Sequence, residues 1–230
     1  MMTSSWLFVL LLSLLALFCE TTVAKIEHVI AVMMENRALD HVLGHLKQVN
    51  DKFDGLTGSE TNPVDPSNPA KGTQRVSFDA PSVLGMNPGH SVEATEIELW
   101  GQQSKKLDPA PMNGFIAELV QAGHPESEAR LVMRCLNATT ASVISSLAQE
   151  YGVFDAWFAA IPGPTFPNRI FAWSGTSRGY AFNDVAEEFL KGFPQQTIFK
   201  DFLDANLDYR VYFSDFPTPF VMDQVAERPW

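Results

Sequence analysis

The 230-residue sequence is short of cysteine and of basic residues, and both shortages narrow what the protein can do. Its two cysteines are too few for a disulfide-built scaffold. Lysine and arginine number 16 against 27 aspartates and glutamates, which gives a formal net charge of -11. Because nucleic acids and anionic membranes attract clustered basic side chains, this balance argues against nucleic acid as a partner and against electrostatic docking on a membrane. One lipid headgroup remains a possible ligand, since a local site binds it.

The N-terminus carries the features of a secretory signal. An apolar run from Trp6 to Phe18 is short for a complete membrane span, and the small residues Thr22-Val23-Ala24 follow it. We expect residues 1–24 to be a signal peptide, Lys25 to begin a secreted protein, and no stable membrane span to remain after cleavage. A signal anchor is the alternative, because no lysine or arginine precedes the apolar run.

Secretion would expose the chain to an oxidising and glycosylating compartment, which bears on Cys135 and Asn137. Cys19 leaves with the signal peptide, so Cys135 either pairs with a partner elsewhere or is a buried free thiol. Asn137-Ala138-Thr139 is a sequon, which predicts glycosylation of Asn137 on a surface loop.

The rest of the chain, residues 25–230, contains no internal repeat and predicts one domain. Short apolar or alternating runs predict strands, and segments with helical spacing lie between them, which favours an α/β fold with a mostly parallel sheet. Turn-forming pairs such as Asn62-Pro63 and Asp65-Pro66 predict a long excursion with a hairpin over residues 50–82. The predicted strands are 29–34, 151–158 and 209–214, and the predicted helices are 39–46, 91–100, 113–122, 140–150, 170–174 and 197–206.

The first candidate site follows the first predicted strand. Glu35 and Asn36 come directly after the apolar run Val29–Met34, at the end of a strand where open α/β sheets bind ligands. Their oxygens suit a hard divalent cation. The alternative is that Asn36 caps the next helix and Glu35 favours its dipole.

The second candidate is the rigid loop 162–169, sequence PGPTFPNR. Pro167 suits the first position of a helix, which would put Thr165 beside free amides that favour an anion. A hydroxyl held there can attack a phosphoryl group if a metal lowers its pKa. The alternative is a turn in which Thr165 only caps the helix.

His90 is the third candidate, because it ends the Pro88-Gly89 turn and precedes a helix. It could hydrogen-bond a phosphate oxygen or protonate a leaving group, or it could be structural.

Together these motifs resemble the phosphoesterase family that contains the bacterial and plant non-specific phospholipases C and the related acid phosphatases. The family patterns ENRSFDH, DPGHS and PMNGF correspond to residues 35–41, 87–91 and 111–115. The family's FDxWFAS…PNR and PQxTIF patterns correspond to residues 154–169 and 194–199. The match runs in order over residues 26–220.

The resemblance implies an alkaline-phosphatase-like α/β sandwich and a hydrolase with one divalent metal ion, acting on a phospholipid or phosphomonoester. By position, Thr165 would be the nucleophile and His90 a catalytic contact to the phosphate. Glu35, Asn36 and Thr165 would ligate the metal, and Asn36, Asn168 and Arg169 would bind substrate.

Departures from the family pattern accompany this match. Ala38-Leu39 replaces Ser-Phe, and Asn87 replaces an aspartate. The acidic pair that completes the family's metal site lies in a second half, and no motif marks Asp155, Asp184 or Asp215 as its substitute. We therefore expect an α/β domain that is incomplete at its C-terminus, the N-terminal part of a phosphoesterase domain. The alternative function is a truncated, non-catalytic secreted protein that binds phosphate or lipid headgroups.

Overall fold

The computed structural model describes residues 26–101, 106–183 and 191–227. The expected signal peptide, residues 1–24, lies outside the described residues, as does Asp184. The chain divides into two compact units, Met1–Asn36 and Arg37–Trp230. Within the described residues, no helix has the length and apolarity needed to cross a membrane.

The described part of the first unit, residues 26–36, is coil rather than the predicted buried strand. Val29 and Ile30 are 86% and 85% exposed. A central strand needs hydrogen-bonding neighbours and cover on both faces, and the only sheet among the described residues pairs two other segments. Asn36 ends the coil with a φ of 59°, a left-handed conformation that asparagine tolerates better than most residues.

The second unit contains helices and one small sheet. The antiparallel hairpin β1–β2 lies inside the predicted excursion, with Thr61 opposite Arg75 and Pro63 opposite Thr73. An α/β class agrees with this mixture, whereas the parallel sheet is not confirmed. The strands are β1 Thr61–Pro63 and β2 Thr73–Arg75, and the helices are α1 Leu39–Leu43, α2 Val92–Trp100, α3 Phe115–Gln121, α4 Glu126–Ala129, α5 Ser142–Glu150, α6 Thr165–Ser174, α7 Ile198–Asp204 and α8 Asp223–Ala226. Short 3-10 turns cover Gly44–Gln48, Pro69–Lys71, Arg130–Met133 and Thr218–Val221.

Two helices begin where hydroxyl side chains cap them. Ser91 Oγ accepts a hydrogen bond from the Ala94 amide at 3.1 Å, which confirms the predicted start of α2. Thr197 Oγ1 accepts one from the Lys200 amide at 3.2 Å at the start of α7. These caps satisfy amides that the first helical turn would otherwise leave unpaired.

Apolar side chains gather in three clusters. One packs α6 against α8 and includes Ile170, Trp173 and Val225. Another surrounds the apolar face of α3 and includes Ile116 and Leu119, both fully buried. The third joins α1 to the turn that follows it and includes Leu43, Leu46 and Phe53. The first cluster holds α6, which carries Thr165, and the second holds α3, which packs against α2.

Helices α2 and α3 make an unusually close contact at Gly114. The Gly114 amide donates to the Glu98 carbonyl at 3.0 Å. A side-chain carbon on Gly114 would overlap the Ile97 carbonyl oxygen and lie 2.6 Å from its carbon. Glycine is therefore required here by space, since it alone has no Cβ.

The predicted strands 151–158 and 209–214 are also coil in the structure. Phe154 and Trp157 are each 80% exposed, and Tyr212 is 89% exposed. We call residues 151–158 and 209–214 the two aromatic coils. Their sequences have strand character, but the described residues offer no neighbouring strand to pair with them.

Candidate active site

The loop 161–164 leads directly into helix α6, and Thr165 is the first helical residue. The helix therefore starts two residues before Pro167, the residue that the sequence predicted as its first position. Pro164 precedes the helix with extended dihedral angles, and no side chain caps this end in the manner of Ser91. Thr165 is partly buried. Its hydroxyl thus lies in the first turn, where amide groups have no helical acceptor.

Asn168 fastens the loop that presents Thr165. Its Oδ1 accepts hydrogen bonds from the Ala160 and Ile161 amides at 2.9 and 3.2 Å. Its Nδ2 lies 3.0 Å from the carbonyl oxygens of both Gly163 and Pro164. The side chain thus bonds to the loop through both of its ends, and its contact with substrate stays a prediction.

An asparagine that sequence reasoning missed also approaches this helix end. Asn183 Oδ1 accepts a hydrogen bond from the Phe166 amide at 2.9 Å. An amide oxygen at this position shows that the start of α6 takes an oxygen acceptor. No local pattern could have found Asn183, because it is 17 residues away in sequence.

His90 is exposed and ends residues 87–90, an irregular segment that we call the His90 turn after the turn predicted at Pro88-Gly89. Its Nε2 lies 3.2 Å from Asn87 Oδ1, so the residue that replaces the family aspartate is the partner of the imidazole. Behind the turn, the Gly89 amide donates to Glu118 Oε2 at 3.3 Å. Glu118, on α3, is a second residue that the sequence analysis missed; its neighbours Ile116 and Leu119 are apolar, and no motif marks it.

The loop of Thr165 and the turn of His90 lie next to each other. A Cβ atom on Gly163 would be 3.2 Å from Val92 Cγ2. Gly163 is two residues before Thr165, and Val92 is two residues after His90. The structure therefore brings together the starts of α2 and α6, where the predicted catalytic residues lie.

The other predicted substrate contact in the second unit is Arg169. Its guanidinium donates to Thr218 Oγ1 at 3.2 Å, across to the 3-10 turn Thr218–Val221. This bond joins α6 to the C-terminal part of the unit. A role of Arg169 in binding substrate stays a prediction.

The predicted metal ligands Glu35 and Asn36 belong to the first unit, and Thr165 belongs to the second. The three residues offer a carboxylate, an amide and a hydroxyl oxygen, which fit a hard cation in kind but supply one negative charge. Among the described residues no group of three or more His, Cys, Asp or Glu side chains could hold a metal. Asp155, one of the acidic residues considered, accepts the Asp54 amide at 2.9 Å instead. The donor set fits in chemistry and is incomplete in number.

The Cys135 side chain is buried, and the Asn137 side chain is hydrogen-bonded to neighbouring residues. Cys135 is free and buried, and burial raises its pKa to about 12, so of the two alternatives the structure supports an inert thiol. Asn137 Nδ2 donates to the Phe78 carbonyl at 2.9 Å, while Oδ1 accepts the Thr139 amide at 2.9 Å. Glycosylation of Asn137 stays a prediction.

Two carboxyl groups, of Glu98 on α2 and of Glu118 on α3, interact electrostatically. Burial, and then the charge of Glu118, raise the pKa of Glu98 from 4.5 to about 7. The folded protein therefore holds a proton on Glu98 at a pH at which the unfolded chain has released it.

This proton makes a testable contribution to stability. Because the pKa of Glu98 is higher in the folded state, its contribution is complete below about pH 4.5 and is lost as the pH rises through about 7. We expect Glu98→Gln, which mimics the protonated group, to raise the free energy of unfolding at about pH 7.5 by up to about 3 kcal/mol, and to leave it nearly unchanged at about pH 4. Urea unfolding at both pH values measures this difference. Glu150→Gln, at an exposed glutamate of α5, is the control, and equal pH dependence in Glu98→Gln and wild type would contradict the prediction.

Comparison with known families shows the family to which the chain belongs. The phosphoesterase family profile matches residues 26–228. The chain belongs to the phosphoesterase family. This confirms the resemblance drawn from the ENR, NPGHS and PNR motifs.

The phosphoesterase chain is also similar to curated proteins. It is 42% identical over 196 residues to non-specific phospholipase C1 of Arabidopsis thaliana, covering 85% of this chain and 36% of that protein. It is 35% identical over 217 residues to non-specific phospholipase C6 of the same plant, covering 90% of this chain and 40% of that protein. Phospholipase C B of Mycobacterium tuberculosis is 24% identical over 213 residues, covering 84% of this chain and 39% of that protein. The phosphoesterase chain thus spans 36% to 40% of the length of these relatives.

Proposed function

We propose that the chain is part of a secreted, metal-dependent phosphoric ester hydrolase of phospholipase C or acid phosphatase type, with Thr165 as its nucleophile. The observation that carries this proposal is the proximity of Gly163 to Val92: a Cβ atom built on Gly163 would lie 3.2 Å from Val92 Cγ2, so the loop of Thr165 lies beside the turn of His90. Two helices, α2 and α6, begin at this place. The amides and the positive dipole ends of helices favour a phosphate group there.

The residues of the second unit divide the reaction between them. The Thr165 hydroxyl gives its proton to solvent, and its oxygen forms a bond to phosphorus while the bond from phosphorus to the leaving oxygen breaks. His90 gives a proton to that oxygen, as a general acid. Water then attacks the phosphorus of this threonine ester and gives a proton to His90, the P–O bond to Thr165 breaks, the threonine oxygen takes a proton from solvent, and phosphate or a phosphate monoester leaves. Asn168 holds the loop in place through both steps.

The first unit contributes Glu35 and Asn36 to this proposal. Their oxygens would hold a divalent ion, which when bound would offset negative charge on the phosphoryl oxygens. Phosphoester hydrolysis in general depends on such charge compensation. The requirement for further ligands follows from the single carboxylate in this set.

The substrate class and the location are proposed from the relatives and from the N-terminus. The relatives are named phospholipases C, which favours a phospholipid, with a phosphomonoester as the second possibility. We propose removal of residues 1–24 during secretion and glycosylation at Asn137.

A second candidate function is binding without catalysis. The described residues contain no cluster of three metal-ligating side chains, and this observation favours a protein that holds phosphate or a lipid headgroup but does not turn it over. Phosphate would then bind at the same two helix starts.

Trapping the covalent intermediate tests the proposal. The secreted chain, and a chimera in which residues 26–227 replace the matched segment of the Arabidopsis phospholipase C1, are mixed with phosphatidylcholine or p-nitrophenyl phosphate and quenched in acid. We expect the peptide that contains Thr165 to carry one phosphoryl group from p-nitrophenyl phosphate or one phosphocholine group from phosphatidylcholine, and we expect loss of turnover after chelation of divalent ions. Turnover without phosphorylated Thr165 would reject Thr165 as the nucleophile. Bound phosphate without turnover in both preparations would favour the binding function.

A further inference from the structure

Glu118 is buried on a helix face that is otherwise apolar. The residue is 5% exposed, and its neighbours Ile116 and Leu119 on α3 are fully buried. Burying a carboxylate is costly unless hydrogen bonds compensate it. Glu118 accepts such a bond at Oε2, from the Gly89 amide at 3.3 Å. A buried charge with this partner requires an explanation beyond packing.

Gly89 is held against Glu118 from two sides. A Cβ atom on Gly89 would overlap Glu118 Oε1 and would lie 2.5 Å from Ala94 Cβ on α2. Because a larger residue would have to move the turn, the position of Gly89 is fixed by α2 on one side and by the Glu118 carboxylate on the other.

The position of Gly89 determines where His90 begins. His90 is the next residue, and its imidazole bonds back to Asn87 at the other end of the same four-residue turn. The turn therefore has one anchor in the interior, Glu118, and one exposed end, the imidazole. Sequence distance hides this link, because Gly89 and Glu118 are 29 residues apart.

We propose that Glu118 is a positioning residue for His90, acting through its hydrogen bond to the Gly89 amide. This inference rests on the proposed function, because a fixed position of the turn matters for catalysis only if His90 contacts the phosphate. It also accounts for the PMNGF motif: Gly114 lets α3 approach α2 closely, and that approach brings Glu118 behind the turn. The interaction between the two carboxyl groups agrees with this, because the charge of Glu118 helps to raise the pKa of Glu98.

Two substitutions at Glu118 distinguish its hydrogen bond to the Gly89 amide from its negative charge and from its packing. Glu118→Gln keeps an oxygen that can accept the Gly89 amide, whereas Glu118→Ala removes it. We expect Glu118→Ala to lower kcat by about 10-fold to 100-fold with a smaller change in KM, and Glu118→Gln to stay within a few-fold of wild type. Gly89→Ala, which displaces the turn while Glu118 is intact, should reproduce the loss. Glu150→Ala, at an exposed glutamate, is the matched control.

A second readout does not depend on catalysis. The imidazole resonances of His90, measured by NMR on each full-length variant, report whether its bond to Asn87 persists. We expect them to move in Glu118→Ala and Gly89→Ala and to stay in Glu118→Gln, with urea unfolding confirming that each variant is folded. Unmoved resonances in folded Glu118→Ala would overturn the inference, as would an equal kcat loss in Glu118→Gln and Glu118→Ala. If wild type shows no turnover, the proposed function fails while the resonances still decide the role of Glu118.

Discussion

Replacing Thr165 by alanine is expected to abolish phosphoester turnover and to leave the fold intact. Removal of a nucleophile costs catalysis at least about a thousandfold, because no other group can form the covalent intermediate. The structure predicts little cost in stability, since no cap hydrogen bond from the Thr165 side chain stabilises the start of α6. Turnover of p-nitrophenyl phosphate and of phosphatidylcholine by the chain and by the phospholipase C1 chimera measures the loss.

Two variants control this experiment. Thr165→Ser retains a hydroxyl at the same place and should keep a large part of the activity, because serine can form the same ester with phosphate. Thr73→Ala removes an exposed threonine of β2, far from the helix start in sequence, and should behave as wild type. Substantial turnover by folded Thr165→Ala would remove Thr165 from the mechanism.

The second large effect is expected at Gly114, where α2 and α3 touch. Gly114→Ala would place a methyl group into the Ile97 carbonyl, and backbone atoms cannot yield as a flexible side chain does. We expect the free energy of unfolding to fall by about 3 kcal/mol or more, with loss of the Gly114 to Glu98 hydrogen bond. Urea unfolding followed by circular dichroism measures it.

Gly85→Ala is the matched comparison for this change. No atom outside its immediate chain neighbours lies within 4 Å of a Cβ built on Gly85, so the same chemical change meets open space there. We expect a shift of no more than about 0.5 kcal/mol. If Gly114→Ala were as stable as Gly85→Ala, the close contact of the two helices would be refuted.

Local signals in the sequence predicted local structure well. Ser91 was expected near the cap of α2, and its hydroxyl caps that helix. The turn-forming pairs in residues 50–82 predicted a hairpin, and β1–β2 is there. In both cases the interacting groups are close in sequence, so that the residues which decide the structure are visible in one window.

Predictions that depended on residues distant in sequence were less successful. The runs at 29–34, 151–158 and 209–214 have the composition of strands, but a strand forms only when another strand supplies its hydrogen bonds. The burial of Glu118 likewise depends on a turn 29 residues earlier in the chain. Thr165 and His90 were predicted as site residues from local loop patterns and from family motifs, and the structure adds that their loops are neighbours.

The two aromatic coils affect the tendency of the protein to self-associate in solution. Aromatic rings that are 80% exposed, such as those of Phe154 and Trp157, attract one another in water. Mutual repulsion between molecules that carry a formal charge of -11 opposes this attraction at pH 7. At the isoelectric point, about pH 4.8, that repulsion vanishes, and nothing then opposes the hydrophobic attraction between the exposed aromatic rings. Colloidal stability of the chain therefore depends on its acidity, and moderate salt, which screens charge, should favour clustering even at neutral pH.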